Sequence, residues 1–194
     1  MKKIYAFDFD GTLTKSDSFL AFIRYACGAR AFWMGLLHYS PWLVLMKLRL
    51  YSNGRAKERV FSHFFKGMEI DVFDAFCHAF AREHEHLLRP LALEAMAKAR
   101  REGADVLVVS ASIDNWVKPF FTNAEVLGTQ VEVKAGRLTG RFLTKNCYGR
   151  EKVIRILESH PDRSNYVLIA FGDSRGDKEM LAFADEGHFK PFRV

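Results

Sequence analysis

Short apolar runs alternate with segments of helical periodicity along most of the chain. Three runs are β-branched or aromatic and are bounded by polar residues or glycine, as in strands buried on both faces of a sheet, at 3–7, 105–109 and 166–171. Apolar residues recur at the spacing of a helix face in 90–102, 149–159 and 174–184. Strands that alternate with helices predict an α/β fold, a doubly wound parallel sheet with a Rossmann-like core.

One long segment, residues 16–87, interrupts this alternation. It is rich in phenylalanine, has helical periodicity and is punctuated by Gly28, Pro41 and a turn at 52–54. We therefore expect an all-helical cap at 16–87, inserted into a core made of 1–15 and 88–194. A β-hairpin is predicted at 131–142, where polar and apolar residues alternate around Gly136.

The composition is that of a globular protein. Of the 194 residues, 49% are hydrophobic and 27% are charged, which excludes a disordered chain and a large multidomain assembly. The 29 Lys and Arg against 23 Asp and Glu give a net charge of +6. A positive field favours anionic partners such as phosphates, anionic membranes or nucleic acid, and it does not choose among them.

Cysteine spacing and the length of the apolar runs bear on the compartment. Cys27, Cys77 and Cys147 are odd in number and far apart, so a reducing cytoplasm is expected, without a disulfide framework or a zinc knuckle. The apolar run at 4–7 is too short for a secretory signal. The longest stretch without Asp, Glu, Lys or Arg, 31–46, has 16 residues. A membrane-spanning helix needs roughly 20.

Acidic and hydroxyl side chains follow each of the three predicted strands. The first strand ends in DFDGTLT, which places Asp8 and Asp10 on one face of the chain. The second ends at Ser110, and the third ends in GDSRGD, which carries Asp173 and Asp177. Because ligands of open α/β sheets bind beyond the carboxyl ends of the strands, we expect these groups to converge.

This set of residues suits phosphoryl chemistry. Neighbouring carboxylates repel unless a cation or a shared proton lies between them, and hard oxygen ligands without His or Cys favour Mg²⁺. One carboxylate can attack phosphorus while a second acts as general acid and base, roles that Asp8 and Asp10 fit. The charge on the transferred group calls for a cation and a hydroxyl, for which Lys152 and Ser110 are candidates.

In this order, and with a helical insertion after the first, the motifs resemble those of the haloacid dehalogenase-like superfamily. The position of the insertion resembles the phosphoserine phosphatase-like subfamily, and the resemblance covers almost the whole chain. It implies that Asp8 is the nucleophile, that Asp10 is the acid and base, and that Lys152, in NCYGREKV, steadies the nucleophile and the phosphate. It also implies a Mg²⁺ site formed by Asp8, the backbone carbonyl of Asp10 and Asp173, with Asp177 behind it.

Substrate-binding residues follow from the same resemblance. The true dehalogenases lack the second aspartate of the first motif, so Asp10 favours phosphate esters. The chain departs from phosphoserine phosphatases at Ala111, where they usually have glycine, and at Asp17, where they have a longer glutamate. The residues expected to bind substrate or phosphate are Gly11, Thr12, Ser110, Ala111 and Asp17. The insertion and CYGREKV are more similar to the bacterial phosphatidylglycerophosphatase C group.

The insertion also points to a lipid substrate. Residues 31–46 are rich in large apolar side chains, and they include Trp33, Tyr39 and Trp42, residue types that favour membrane interfaces. Residues 47–59 carry five positive charges against one negative charge, that of Glu58. The hypothesis is a phosphatase of a lipid phosphate such as phosphatidylglycerophosphate, in peripheral contact with the inner face of an anionic membrane. In the alternative, this stretch only packs the core of the cap and the substrate is a small soluble, phosphoserine-like ester.

Two further alternatives remain open from the sequence. The first is a binding module without activity that docks on anionic lipid, against which the intact carboxylate set argues. The second is a phosphotransferase, because an aspartyl-phosphate can pass its phosphoryl group to an acceptor other than water. A nucleic-acid partner is not expected, because no recognised module or interleaved aromatic and basic face is evident.

Overall fold

The computed structural model describes residues 2–48 and 52–193. Its strands are β1 (Lys2–Phe7), β2 (Asp105–Ile113), β3 (Glu125–Thr129), β4 (Val131–Lys134), β5 (Arg137–Phe142), β6 (Tyr166–Gly172) and β7 (Glu186–Phe189). Its α-helices are α1 (Ser18–Lys47), α2 (Asn53–Phe65), α3 (Ile70–Glu83), α4 (Pro90–Arg101), α5 (Asp114–Val117), α6 (Arg150–Ser159) and α7 (Lys178–Phe183).

A five-stranded parallel sheet forms the centre of the molecule, in the order β3-β2-β1-β6-β7. Side chains of β1 alternate between its two faces because successive residues of a strand point in opposite directions. Ile4 and Ala6 pack in the apolar layer that includes Ile156 of α6 and Met180 of α7. Phe7 packs in the larger layer on the other face. The predicted α/β fold with a doubly wound parallel sheet is confirmed.

Helices α1, α2 and α3 lie between β1 and α4, in the segment predicted to form the cap. Gly28 interrupts α1 with φ 79° and ψ 161°, which an L-residue rarely adopts, so α1 consists of two helical pieces. The hairpin β4–β5 packs against this helical insertion: Leu138 donates its backbone N–H to Met68, and the ring of Phe142 lies 5.7 Å from that of Phe61. The domain limits at 16 and 87 stay a prediction.

Several predicted boundaries differ from the structure. Strand β2 does not end at Ser110 but continues to Ile113, and the third predicted helix begins at Lys178 after a single 3-10 turn. Strands β3 and β7 were not predicted. All four residues of β7 are exposed, so this edge strand lacks the apolar pattern by which a buried strand is recognised.

Aromatic rings join the insertion to the sheet. Phe22 of α1 is fully buried, and its ring centroid lies 4.8 Å from that of Trp116, in the turn of helix that follows β2. It lies between 5.3 and 5.6 Å from the rings of Phe65, Phe73 and Phe80. One ring of α1 therefore contacts the other two insertion helices and the core. Among the described residues, no helix is long and apolar enough to cross a membrane.

Truncation of this central ring tests the packing. Replacing Phe22 with Ala leaves a cavity that rigid neighbouring rings cannot close, so we expect a loss of about 3–5 kcal/mol in the free energy of unfolding, measured by urea denaturation. The control is Phe189→Ala, since Phe189 is 59% exposed, and it should change stability by less than about 0.5 kcal/mol. Equal losses in the two variants would contradict a central role for Phe22.

Candidate active site

Asp8 directly follows β1, the central strand of the sheet, at its carboxyl end. Its backbone N–H donates to the carbonyl of Phe171 at 2.9 Å, which extends the pairing of β1 with β6 by one residue. The chain then turns at Gly11, with φ 85°. A Cβ atom there would lie 2.5 Å from Oδ2 of Asp173, so only glycine lets the two strand ends approach this closely.

A buried ammonium group holds the site together. Lys152, at the start of α6, is 1% exposed, and its Nζ donates to Oδ1 of Asp8 at 2.5 Å, to Oδ1 of Asp177 at 2.6 Å and to the carbonyl of Val109 at 2.8 Å. These three bonds use all three protons of the ammonium. Lys152 therefore links the ends of β1 and β2 to the turn that follows β6.

The charges of this group shift its pKa values in opposite directions. Burial raises the pKa of Asp8 to about 7, although the ammonium of Lys152 opposes the rise. Burial also acts to raise the pKa of Asp177, but its bond to Lys152 outweighs that effect and holds the pKa below its ordinary value. Burial acts to lower the pKa of Lys152, yet the charges of Asp8 and Asp177 raise it. Lys152 and Asp177 are thus a charged pair beside a carboxyl that titrates near neutrality.

Asp10 faces a different set of partners. Its Oδ2 accepts from the hydroxyl of Ser112 at 2.5 Å, and its Oδ1 accepts from the backbone N–H of Ser18 at 2.7 Å, at the start of α1. Burial, followed by the charge of Asp17, raises the pKa of Asp10, while Lys57 acts in the opposite sense. A carboxyl held in place with a raised pKa suits a group that gives and takes a proton.

Three carboxylates form a candidate cation site. One oxygen from each of Asp8, Asp173 and Asp177 lies within 4.8 Å of the other two. Oδ1 of Asp173 is buried and has no hydrogen-bond partner among the described residues. Burial, then the charge of Asp177, raises the pKa of Asp173, while Arg193, which contacts its Oδ2, acts in the opposite sense. An unpartnered buried oxygen among hard oxygen ligands fits a divalent cation such as Mg²⁺.

The members of this cluster differ in how free they are to bind a cation. Oδ2 of Asp177 accepts from the backbone N–H groups of Asp173 and Ser174 and from the Ser174 hydroxyl, and its Oδ1 is bonded to Lys152. Asp177 therefore fixes the turn that presents Asp173. The carboxylate of Asp10 is not part of this cluster. The resemblance implies that Asp10 would bind the cation through its backbone carbonyl.

A cavity of about 730 Å³ opens above these groups. At one end it is lined by Asp8, Asp10, Ser110, Lys152 and Asp173. Its walls also include eight apolar side chains of α1 and α2, namely Phe19, Leu20, Ile23, Phe32, Leu36, Tyr39, Val60 and Phe64. The ring of Phe64 packs on Gly35, where a Cβ atom would lie 2.2 Å from it. The polar floor is therefore continuous with an apolar chamber between two insertion helices.

The residues expected to bind substrate or phosphate fall into two groups. Gly11, Ser110, Ala111 and Asp17 line the cavity. Thr12 is buried and is not among the lining residues; its hydroxyl donates to Oδ2 of Asp8 at 3.1 Å. Oδ1 of Asp17 accepts from the backbone N–H groups of Phe19 and Leu20, so Asp17 also caps the first turn of α1.

Four residues of the site did not emerge from the sequence. Ser112 bonds to Asp10, and its alternation with Ser110 along a longer strand was the available signal. Lys57 and Tyr148 line the cavity, the first from α2. Arg193 reaches Asp173 because Phe192 stacks on Phe171, with ring centroids 5.4 Å apart. Contacts of this kind depend on the path of the folded chain.

Comparison with known proteins identifies the family of the chain. Residues 5–182 match the family model of haloacid dehalogenase-like hydrolases. The chain belongs to this family. The hydrolase is 38% identical over 200 residues to Protein CicA of Caulobacter vibrioides, a match that covers 98% of this chain and 86% of that protein. The predicted membership of the haloacid dehalogenase-like superfamily and the assignment to an enzyme class are confirmed.

Solved structures share the fold of this hydrolase. A protein of unknown function from Bordetella pertussis Tohama I has a TM-score of 0.82 at 18% identity, over 95% of this chain and 88% of that one. A phosphoserine phosphatase, solved as an analogue of its phospho-aspartyl intermediate, has a TM-score of 0.62 at 21% identity, over 94% and 83%. At such identities the likeness concerns the fold.

The raised pKa of Asp8 predicts how stability depends on pH. The folded chain binds this proton more tightly than the unfolded chain, so the contribution of Asp8 to the free energy of unfolding is lost as pH rises from about 4 to about 7. In the presence of a chelator, Asp8→Asn should therefore gain stability relative to the original chain over this range. Thermal unfolding at several pH values measures the difference, and the control is Asp71→Asn, at an exposed residue of α3. A difference that stays constant with pH would contradict the assignment.

Proposed function

We propose that this hydrolase is a Mg²⁺-dependent phosphomonoesterase that forms a covalent aspartyl-phosphate on Asp8. The observation that carries the proposal is the position of Asp8, held by Lys152 and Thr12 at the floor of the cavity with the second carboxyl, Asp10, two residues away. The phosphoryl chemistry of solved phosphoserine phosphatases, whose fold this chain shares, supports it.

The residues of the chain divide the reaction into two steps. In the first, a carboxylate oxygen of Asp8 forms a bond to phosphorus, the bond from phosphorus to the ester oxygen breaks, and Asp10 gives its proton to that leaving oxygen. In the second, Asp10 takes a proton from water, the water oxygen bonds to phosphorus, and the bond to Asp8 breaks. The raised pKa of Asp10 favours its protonated form at the start.

Lys152 has a fixed role in both steps. Its charge lies 2.5 Å from Asp8, which favours the ionised, nucleophilic form of a carboxyl that burial would otherwise protonate. Asp177 keeps Lys152 in place and charged. Ser110 and the backbone around Ala111, which line the cavity, are the candidate donors to the phosphate oxygens.

Asp8 and Asp173 would hold the Mg²⁺, together with the backbone carbonyl of Asp10. The ion would neutralise charge where two carboxylates and a phosphate meet in a partly buried site. Asp177 holds the turn that presents Asp173 through its bonds to the backbone of that turn. The role proposed for Asp177 is therefore one of support.

Loss of the nucleophile is the direct test. Asp8→Asn should reduce turnover of a soluble phosphate ester at least about 1,000-fold while far-ultraviolet circular dichroism stays unchanged, since an amide cannot form the acyl phosphate. Asp71→Asn is the matched control and should retain full activity. Turnover above a tenth of the original, or full turnover of the original chain after exhaustive chelation, would refute the mechanism.

The apolar part of the cavity favours an amphiphilic substrate. Eight apolar side chains of α1 and α2 line the space that opens from Asp8, more than a small polar ester needs. We propose a lipid phosphate such as phosphatidylglycerophosphate, with its phosphate on the polar floor and its apolar part between the helices. Such a substrate implies peripheral contact with an anionic membrane, and the cytoplasmic location and the lack of a nucleic-acid partner stay predictions.

The stretch 31–46 has two sides. Phe32, Leu36 and Tyr39 line the cavity, as the alternative of a packed cap requires, whereas Trp33 and Leu37 are exposed. The structure does not describe residues 49–51, nor the side chains of Leu43, Leu45, Met46 and Lys47.

A small soluble ester is the second candidate. The presence of Asp17 among the cavity residues favours it, since a carboxylate there could hold an amine. The hydrogen bonds of Asp17 to α1 show a capping role as well. A phosphotransferase would differ from both candidates by requiring an acceptor for turnover.

A polar side chain in the chamber separates the two substrate classes. Leu36→Gln should lower kcat/KM for a monomeric, short-chain lipid phosphate at least about tenfold, because it places an unsatisfied amide against the apolar part. The value for phosphoserine should stay within about twofold, since the catalytic floor is unchanged. The control is Leu143→Gln, at an exposed residue away from the cavity. An equal effect on both substrates, or a higher kcat/KM for phosphoserine in the original chain, would contradict the lipid proposal.

A further inference from the structure

Helix α1 presents an uncovered apolar face on the side opposite the cavity. This outer face consists of Trp33, Met34, Leu37 and Val44, together with Leu48 directly after the helix, and all five are between 56% and 77% exposed. Their spacing of three, four or seven residues, with one adjacent pair, places them on one side of a helix. Phe32, Leu36 and Tyr39, on the other side, line the cavity. The helix is therefore apolar on both sides and covered on only one.

Positive charge is concentrated in the same part of the chain. Residues 18–66, from the start of α1 to just past the end of α2, contain eight Lys and Arg and one Glu, a net charge of +7. The whole chain has a net charge of +6, so the remaining residues together carry −1. The surplus of positive charge therefore belongs to this segment of the sequence.

Some of this charge lies beside the outer face. Arg30 is exposed and precedes Trp33 and Met34 by three and four residues, which places it on the same side of the helix. Arg59, on α2, lies away from this face, because its guanidinium is 4.2 Å from the ring centroid of Trp42, nine residues from Trp33 and half a turn round the helix. Within the described part of the chain, Arg24, Arg30 and Arg55 form no ion pair.

Three kinds of partner could cover such a face, and the charge distinguishes them. A second copy would bring two positively charged segments together, and like charges oppose that contact. A nucleic acid would match the charge but would leave Leu37, Val44 and Leu48 without apolar contact. The interface of an anionic bilayer offers negative head groups and an apolar layer at once.

We propose that the outer face of α1 docks this hydrolase on an anionic lipid bilayer, with the helix in the plane of the interface. Trp33, Met34 and Leu37 insert among the acyl chains, Arg30 binds the head groups, and the exposed Arg24 and Arg55 add to the attraction. The inference rests on the proposed lipid-phosphate activity, since docking would serve to bring the enzyme to a lipid substrate. In the docked position α1 would lie between the membrane and the chamber. Docking does not depend on the chemistry of Asp8.

Co-sedimentation with vesicles tests the docking surface. The full chain should sediment with phosphatidylcholine vesicles that contain phosphatidylglycerol and remain in solution with phosphatidylcholine alone. The double variant Met34→Gln/Leu37→Gln should lower the partition coefficient at least about tenfold, because two inserted side chains become polar. Its matched control, Leu143→Gln/Phe189→Gln, changes two residues that are 64% and 59% exposed elsewhere and should bind as the original chain does.

Charge and insertion have separate readouts. Arg30→Gln should weaken binding about fivefold at low salt and have little effect at high salt, where surface charges are screened. Anionic vesicles should shift tryptophan emission to shorter wavelength. Trp33→Phe should remove most of this shift, because of the other two tryptophans Trp116 is buried and Trp42 lies against the guanidinium of Arg59.

The outcomes separate docking from catalysis. Turnover of a soluble ester by the Met34→Gln/Leu37→Gln variant should equal that of the original chain, and Asp8→Asn should bind vesicles normally. Failure of the original chain to bind anionic vesicles, or equal losses in the outer-face and control variants, would overturn the docking proposal. So would a dimer in solution that the outer-face variant dissociates. Vesicle binding without turnover of any phosphate ester would instead overturn the proposed function alone.

Discussion

A single buried ammonium group determines how the catalytic end of this hydrolase is arranged. Removing a charge from water is costly. The ammonium of Lys152 remains buried only because two carboxylates and a carbonyl accept hydrogen bonds from all three of its N–H groups. Those acceptors come from the ends of β1 and β2 and from the turn after β6, which are distant in sequence. Satisfying one charge thus fixes the relative positions of three strand ends.

This constraint also explains the different behaviour of the carboxyl groups. Asp177 is saturated with hydrogen bonds and acts as part of the framework, whereas Asp173 keeps a buried oxygen without a partner. Asp8 is between these extremes, since burial and the nearby ammonium pull its pKa in opposite directions. Similar side chains in a small volume therefore take on unlike roles because their neighbours differ, which is how proteins divide acid, base and ligand functions.

The sequence predicts this arrangement well where local chemistry and strand topology are sufficient. Asp8, Asp10, Ser110 and Asp173 each stand at or just beyond a buried apolar run, and the parallel sheet brings such positions to one edge. The edge strand β7 escapes prediction because its residues are exposed and lack an apolar pattern. Arg193 and Lys57 escape for another reason: which long side chain reaches a site depends on tertiary packing, as when Phe192 anchors the segment before Arg193. The capping role of Asp17 likewise depends on where α1 begins.

The close packing of Phe64 on Gly35 bears on how this hydrolase could diversify. The two residues sit where α1 and α2 meet, and neither belongs to the sheet that holds Asp8 and Lys152. A bulkier residue at position 35, or a smaller ring at position 64, would reset the separation of the helices and thus the width of the chamber between them. The size of the molecule that enters and the reaction it undergoes are consequently encoded in different elements. Selection could retune the first through a few helix positions while the second is inherited intact.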